Sequence, residues 1–316
     1  MIDLYGPRRL SFIPFDDDPR IYLPKAEFYI TNVCNLSCDN CNRFNNHNFT
    51  GWQNWQDYQD IYVRWAEKIK IDQLVILGGE PLINPSICDW IRGLNRVWHR
   101  GVQIVTNGTR LNQVPGLYDA LVQDGRDGGN WIAVSIHNAN DTERYLDEIQ
   151  KFLKSPIIEL VGNDKMGADY AFKDRNGLHI HAWIQDSFYN ASIQQKFDRF
   201  VLHDSDPDLA HAECGMVKYK NYHFVRGKLY KCGPVALMPE FDQQHTLAIS
   251  DQDRVLLNSY TPLSIDNFDQ QGENFIKNID TVIPQCKFCP SSFENKKIFA
   301  LNKNKNSTNS FKITHK

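Results

Sequence analysis

A chain of 316 residues, 41% apolar and 23% charged, is long enough for one large core or for a core plus a smaller module. A net charge of −3 and a pI near 6.4 leave out the basic footprint that nucleic acid or an anionic membrane surface requires. The charged N-terminus MIDLYGPRRLSFIPFDDDPR has no signal-peptide core and no window reaches the apolar length of a membrane span, so a cytoplasmic protein is expected.

From about residue 26 short apolar runs alternate with helical periodicity. AEFYIT (Ala26–Thr31) reads as a strand, Trp55–Ile69 as a helix, and QLVIL (Gln73–Leu77) as a buried strand. Pro85–His99 is helical, VQIVT (Val102–Thr106) a third strand, and Pro115–Gln123 a further helix. WIAVSI (Trp131–Ile136) is a fourth strand, followed by the helical DTERYLDEIQKFLK with Asn140 or Asp141 as N-cap. This order predicts an α/β fold: a mostly parallel sheet under helices, best fitted by a partial (β/α) barrel, with ligand chemistry at the C-terminal strand ends.

Further on, Leu178–Ile184 is expected as a strand, closing a hairpin with Tyr170–Lys173 through Arg175–Gly177. Ser192–Leu202 reads as a helix, and Lys218–Gly233 as a hairpin about Arg226–Gly227. The change in character near residues 203–212 divides the chain into a lead-in (1–25), the barrel (26–205), a small hairpin and helix domain (206–295) and a basic flexible tail (296–316).

Eight cysteines in a reducing compartment read as metal ligands or catalytic groups rather than disulfides. Cys88 stands alone and reads as a small buried hydrophobe. Cys34, Cys38 and Cys41 form a CxxxCxxC loop after the first strand. Three thiolates suit a 4Fe–4S cluster with one open iron, whereas structural zinc wants a fourth ligand, for which His47 is the nearest candidate. Cys214, Cys232, Cys286 and Cys289 are spaced C-x17-C-x53-C-x2-C and can close a coordination sphere, as a cluster or as a zinc ribbon.

The segment C-N-L-S-C-D-N-C resembles the signature of the radical SAM superfamily. The resemblance implies that the open iron binds the amino and carboxylate groups of S-adenosylmethionine (SAM). Reductive cleavage then gives a 5′-deoxyadenosyl radical that takes a hydrogen atom from the substrate. Members usually carry an aromatic residue where this chain has Asn40, which is still assigned to the SAM site. LGGEPLINP is similar to the family's GGEP motif, implying that Gly78, Gly79, Glu80 and Pro81 meet the methionine ammonium; by itself Gly78–Gly79 is also a plain strand-to-helix turn. TNGT, with Thr106 and Asn107, and SIHN, with Ser135, match positions of polar contacts to the methionine carboxylate and ribose. The resemblance spans about residues 26–200.

The GKLYKC segment (Gly227–Cys232) looks like the hairpin of the twitch and SPASM modules, which implies an auxiliary 4Fe–4S cluster on the four later cysteines. The pattern is similar to that of the radical SAM 2-deoxy-scyllo-inosamine dehydrogenases. It implies oxidation of an alcohol or sugar-like small molecule, the auxiliary cluster taking the second electron from the substrate, with a flavodoxin- or ferredoxin-type protein as electron donor. Two alternatives stay open: a peptide-modifying maturase, and a non-catalytic, zinc-stabilised binding protein. On the substrate side His137 is the catalytic candidate. His179 and His181 share one strand face, Arg43 reads as solvated, and Phe49–Tyr58 as packing at the start of a helix.

Overall fold

The computed structural model describes residues 18–123, 129–153, 159–160, 168–185, 187–189, 191–292, 295–297 and 300–302. Alternate residues of the first strand, β1 (Ile21–Tyr29), serve two different cores. Ala26 and Phe28 join Leu74, Ile76, Ile104, Ile132 and Val134 under a helical layer, while Tyr29 joins Val75, Leu77, Phe44 and Phe241 on the opposite face. Burial on both faces is why these strands read as near-continuous apolar runs.

Eight more strands complete one sheet: β2 (Ile69–Leu77), β3 (Val102–Thr106), β4 (Trp131–Ile136), β5 (Glu159–Leu160), β6 (Tyr170–Lys173), β7 (His179–Ile184), β8 (Tyr222–Val225) and β9 (Lys228–Tyr230). Their spatial order is β9-β8-β1-β2-β3-β4-β7-β6-β5. Pairing is parallel from β8 to β7 and antiparallel at both edges. Among the described residues the edge strands do not pair with each other, so the sheet is an open, partial barrel. Helices α1 (Trp55–Lys68), α2 (Ile87–Trp98), α3 (Leu117–Gln123) and α4 (Thr142–Phe152) follow β1, β2, β3 and β4 in turn. Trp65 and Trp90, both fully buried, anchor α1 and α2 to the sheet. Each buries on the order of 4–6 kcal/mol of apolar surface, an upper bound from an extended-chain reference.

The first strand begins at Ile21, not Ala26. Pro24 hid its start from the sequence pattern. The β1–β2 register runs Leu23↔Ile71 and Lys25↔Gln73, and β8 begins to pair only at Ala26, so the missing N–H falls where one side of β1 is open. The expected Lys218–Gly233 hairpin forms as β8 and β9, turning at Arg226–Gly227, and β8 extends the central sheet along β1.

Two expectations are corrected. Ser192–Leu202 is not a helix: Ile193–Lys196 pairs antiparallel with Arg199–Leu202 around Phe197–Asp198. A two-residue turn with Phe197 at φ +56° flips the chain, and its period-two pattern fits a hairpin. Nor is the segment from 296 all tail. Asn295–Lys297 pairs with Ser187–Tyr189, and Ala300–Asn302 with Leu36–Cys38 in the cysteine loop. The rest of the expected tail, from residue 303, lies outside the described residues, as does Lys154 of the expected fourth helix.

Five more helices lie in the C-terminal part: α5 (Pro207–Ala212), α6 (Gly215–Lys218), α7 (Gly233–His245), α8 (Asp251–Asn258) and α9 (Phe268–Lys277). Phe241 of α7 packs edge-on against Phe44, Phe49 and Phe200, closing the second core. No described helix is long and apolar enough to cross a membrane.

Candidate active site

The loop after β1 is held by backbone contacts to the loop after β2. Gly79 N–H donates to Thr31 O at 2.7 Å and Glu80 N–H to Val33 O at 2.8 Å. A Cβ on Gly79 would stand 2.4 Å from Val33 O, so only glycine permits this approach. The glycines of the GGEP segment are therefore required by the chain's own loop, one residue before Cys34.

Glu80 is fully buried and accepts from Leu82 N (2.9 Å), Thr106 Oγ1 (2.7 Å) and Asn107 N (2.8 Å). Burial pushes its carboxyl up, and these three donors pull it back in part. A carboxylate has about four acceptor positions, so one is left for a further donor. Pro81 follows as the first residue of a buried single turn that Glu80 caps.

Asn107 carries the clamp on to the cysteine loop. Its Nδ2 donates to Asn35 Oδ1 at 3.0 Å and lies 3.8 Å from Cys34 Sγ, while its Oδ1 accepts from Thr109. Gly108 makes the turn at φ +73°, where a Cβ would meet Val134 Cγ1 at 2.6 Å. Cys34 Sγ also accepts from Leu36 N. Cys41 N–H bonds to Cys38 O across Asn40, whose φ of +59° is a conformation Asn tolerates better than bulky residues. Cys34, Cys38, Cys41, Gly78–Pro81, Thr106 and Asn107 are thus gathered at one end of the parallel sheet.

The other candidates fall elsewhere. Ser135 is half-buried on β4, opposite Trp183. His137 Nδ1 lies 3.2 Å from Gln185 O, tying the ends of β4 and β7, and burial lowers its basicity. His179 and His181 do share a face, and His181 packs between Trp131 (5.3 Å) and Trp183 (6.0 Å). His47 packs on Phe200 at 4.8 Å. Phe49 and Trp55 are core residues, as expected of packing at the start of α1, and Cys88 packs half-buried against the helical-side core.

Arg43 corrects the sequence reading. It is buried, not solvated, with Nη2 at 2.9 Å from Glu27 Oε2. Lys25 Nζ (3.2 Å) and His223 Nε2 (2.9 Å) share the same carboxylate. Its partners lie on β1 and β8, so no local pattern announced them. Arg43 Nη1 also lies 4.0 Å from Met216 Sδ, and a Cβ on Gly233 would come within 3.1 Å of it. Those residues neighbour Cys214 and Cys232.

The four later cysteines lie on segments that pack together. Cys214 caps α6, Cys232 precedes α7, Cys286 lies within the short turn Pro284–Phe288 and Cys289 follows it. Burial pushes the Cys232 thiol well up, helped by Cys214, Cys289 and Cys286. Burial likewise pushes Cys289 up to about 12, against a bond from Ser192 and together with Cys214 and Cys286. Helix α5, which leads to Cys214, packs on the Pro284–Phe288 turn, and Lys231 beside Cys232 bonds the carbonyls of Ile279 and Thr281 ahead of it, so the four thiols sit on neighbouring segments whose chemistry would suit a cluster or zinc. Among the described residues no three His, Cys, Asp or Glu groups stand close enough to share a single metal ion.

Residues 28–161, under half of the chain, match the family model of the Radical SAM superfamily. Streptococcus suis SuiB, solved with S-adenosylmethionine, is 18% identical over 42% of this chain and 31% of its own, with a TM-score of 0.32. anSMEcpe, solved with AdoMet and the Cp18Cys peptide, is 14% identical over 42% of this chain and 40% of its own, with a TM-score of 0.31. The chain thus spans less than half the length of these solved structures. No curated protein matches it significantly.

Proposed function

We propose that this chain, with its radical SAM domain at residues 28–161, cleaves S-adenosylmethionine reductively and oxidises an alcohol or sugar-like small molecule. The observation that carries the reading is the Glu80 clamp, which locks the GGEP turn, Thr106–Asn107 and the Cys34 loop into one strand-end site. When bound, a 4Fe–4S cluster on Cys34, Cys38 and Cys41, with SAM on its open iron, supplies one electron and a 5′-deoxyadenosyl radical. Glu80 offers its remaining acceptor position to the methionine ammonium, and Gly78–Gly79 keeps the backbone close. Thr106, Asn107, Ser135 and Asn40 are the candidates for contacts to the methionine carboxylate, the ribose and the adenine.

Cys214, Cys232, Cys286 and Cys289 would hold the auxiliary cluster that receives the second electron. His137, whose basicity burial lowers, is the candidate proton acceptor. A flavodoxin- or ferredoxin-type protein is the proposed donor. The test is anaerobic incubation of the reduced protein with SAM and a panel of carbon-deuterated polyols. Deuterium in 5′-deoxyadenosine and a new carbonyl product are expected; no 5′-deoxyadenosine under any condition would contradict the proposal.

A further inference from the structure

Lys231 directly precedes Cys232 and is only 4% exposed. Its ammonium donates to Ile279 O at 2.9 Å and Thr281 O at 2.6 Å, and lies 3.4 Å from His211 Nε2. The two carbonyls accept from it, whereas His211 Nε2 donates its own N–H to Asp280 O at 2.6 Å and only lies beside the ammonium. Among the described residues no carboxylate stands within ion-pair distance of it; the nearby Asp280 is engaged by Lys220 and the Tyr222 hydroxyl. A buried ammonium without a counter-charge is costly, so something anionic has to face it.

The contacts say what that is. His211 lies three residues before Cys214, whose N–H bonds to His211 O at 3.0 Å. Ile279 and Thr281 lead into Ile283, whose carbonyl receives the Cys286 N–H at 2.9 Å. One ammonium, next to Cys232 in the chain, therefore bonds the segment that leads to Cys286 and lies beside the residue that precedes the Cys214 turn.

We infer that Lys231 is the positioning residue of the second cysteine set, its buried charge balancing the thiolates and raising the reduction potential of the cluster they hold. The inference rests on the second-cluster reading given above. In the proposed oxidation the substrate carbon gives one hydrogen atom to the 5′-deoxyadenosyl radical, its hydroxyl proton to His137 and one electron to this cluster, so C–OH becomes C=O. Reduction adds a negative charge, which a cation alongside favours.

The experiment uses the full chain carrying Cys34→Ala, Cys38→Ala and Cys41→Ala, so that only the second set binds iron. Its potential is read by an EPR-monitored redox titration in wild-type, Lys231→Gln and Lys231→Arg forms. Gln keeps donors for the two carbonyls and removes the charge; Arg keeps the charge. Lys231→Gln is expected to lower the reduced-to-oxidised ratio at fixed potential about tenfold, or about 59 mV for one electron, and Lys231→Arg to leave it near wild type. Iron loss in the Gln form alone also supports charge balance. An unmoved potential in the Gln form, or equal shifts or iron loss in both forms, overturns the inference. If the unaltered Lys231 background binds zinc or no iron, the second-cluster reading itself fails.

Discussion

Glu27 receives Lys25, Arg43 and His223 within 3.2 Å on the inner face of the sheet. Burial pushes its carboxyl up, but Lys25, His223 and Arg43 together outweigh that and hold it below the usual range. The sign of the pH effect follows. A depressed carboxyl adds stability that is fully present above the ordinary value of about 4.5 and is lost as pH falls toward its folded value. Glu27→Gln removes the one negative charge that Lys25 and Arg43 share and is expected to cost about 3–5 kcal/mol at neutral pH. In urea unfolding the gap between wild type and Glu27→Gln should narrow below about pH 4.5; a constant gap would show that the carboxylate contributes shape rather than charge. Arg43 was illegible in the sequence for the same reason that the network is strong. Its partners are distant in sequence and meet only when β8 pairs with β1.

Whole elements were legible where both faces of a strand are buried and where helical periodicity runs for several turns. Ile193–Leu202 was not, because a short segment with both polar and apolar residues fits either period. The hairpin makes its own test. Phe197 is fully exposed and sits at φ +56°, the first central position of its turn, where glycine is favoured. Phe197→Gly should raise stability by up to about 1 kcal/mol in thermal unfolding. Were the segment helical, the same change would lower it by about 1 kcal/mol. The strand-end loops make another. Gly79→Ala places a methyl 2.4 Å from Val33 O, and is expected to cost roughly 1–3 kcal/mol and abolish SAM cleavage. Gly116→Ala, at φ +74° with open space around it, should cost about 1 kcal/mol and leave cleavage intact. Equal loss of activity in both would argue against the Gly79 contact as what shapes the site. The sequence pointed to these glycines for the ligand's sake; the fold needs them first for Thr31–Val33.

At the scale of the molecule, the two cysteine sets are joined by the sheet itself. β1 leads into Cys34–Cys41, β8 and β9 lead into Cys232, and Arg43 reaches from the first loop to the surroundings of Met216 and Gly233. The seven grouped cysteines, the GGEP turn and Asn107 were readable because ligand spacing and turn residues are local signals. The Glu80 hydrogen bonds and the Lys231 and Glu27 charges were not, because they join residues from separate strands. The central claim is that the first set supports SAM cleavage while the second holds a cluster of its own. The most direct measurement is the iron content of anaerobically prepared protein, together with 5′-deoxyadenosine formed after reduction, in wild type and in the Cys34→Ala, Cys38→Ala, Cys41→Ala variant. About eight irons per wild-type chain, about four in the variant, and cleavage only in wild type are expected. A colourless zinc protein, or cleavage that survives in the variant, would contradict the account.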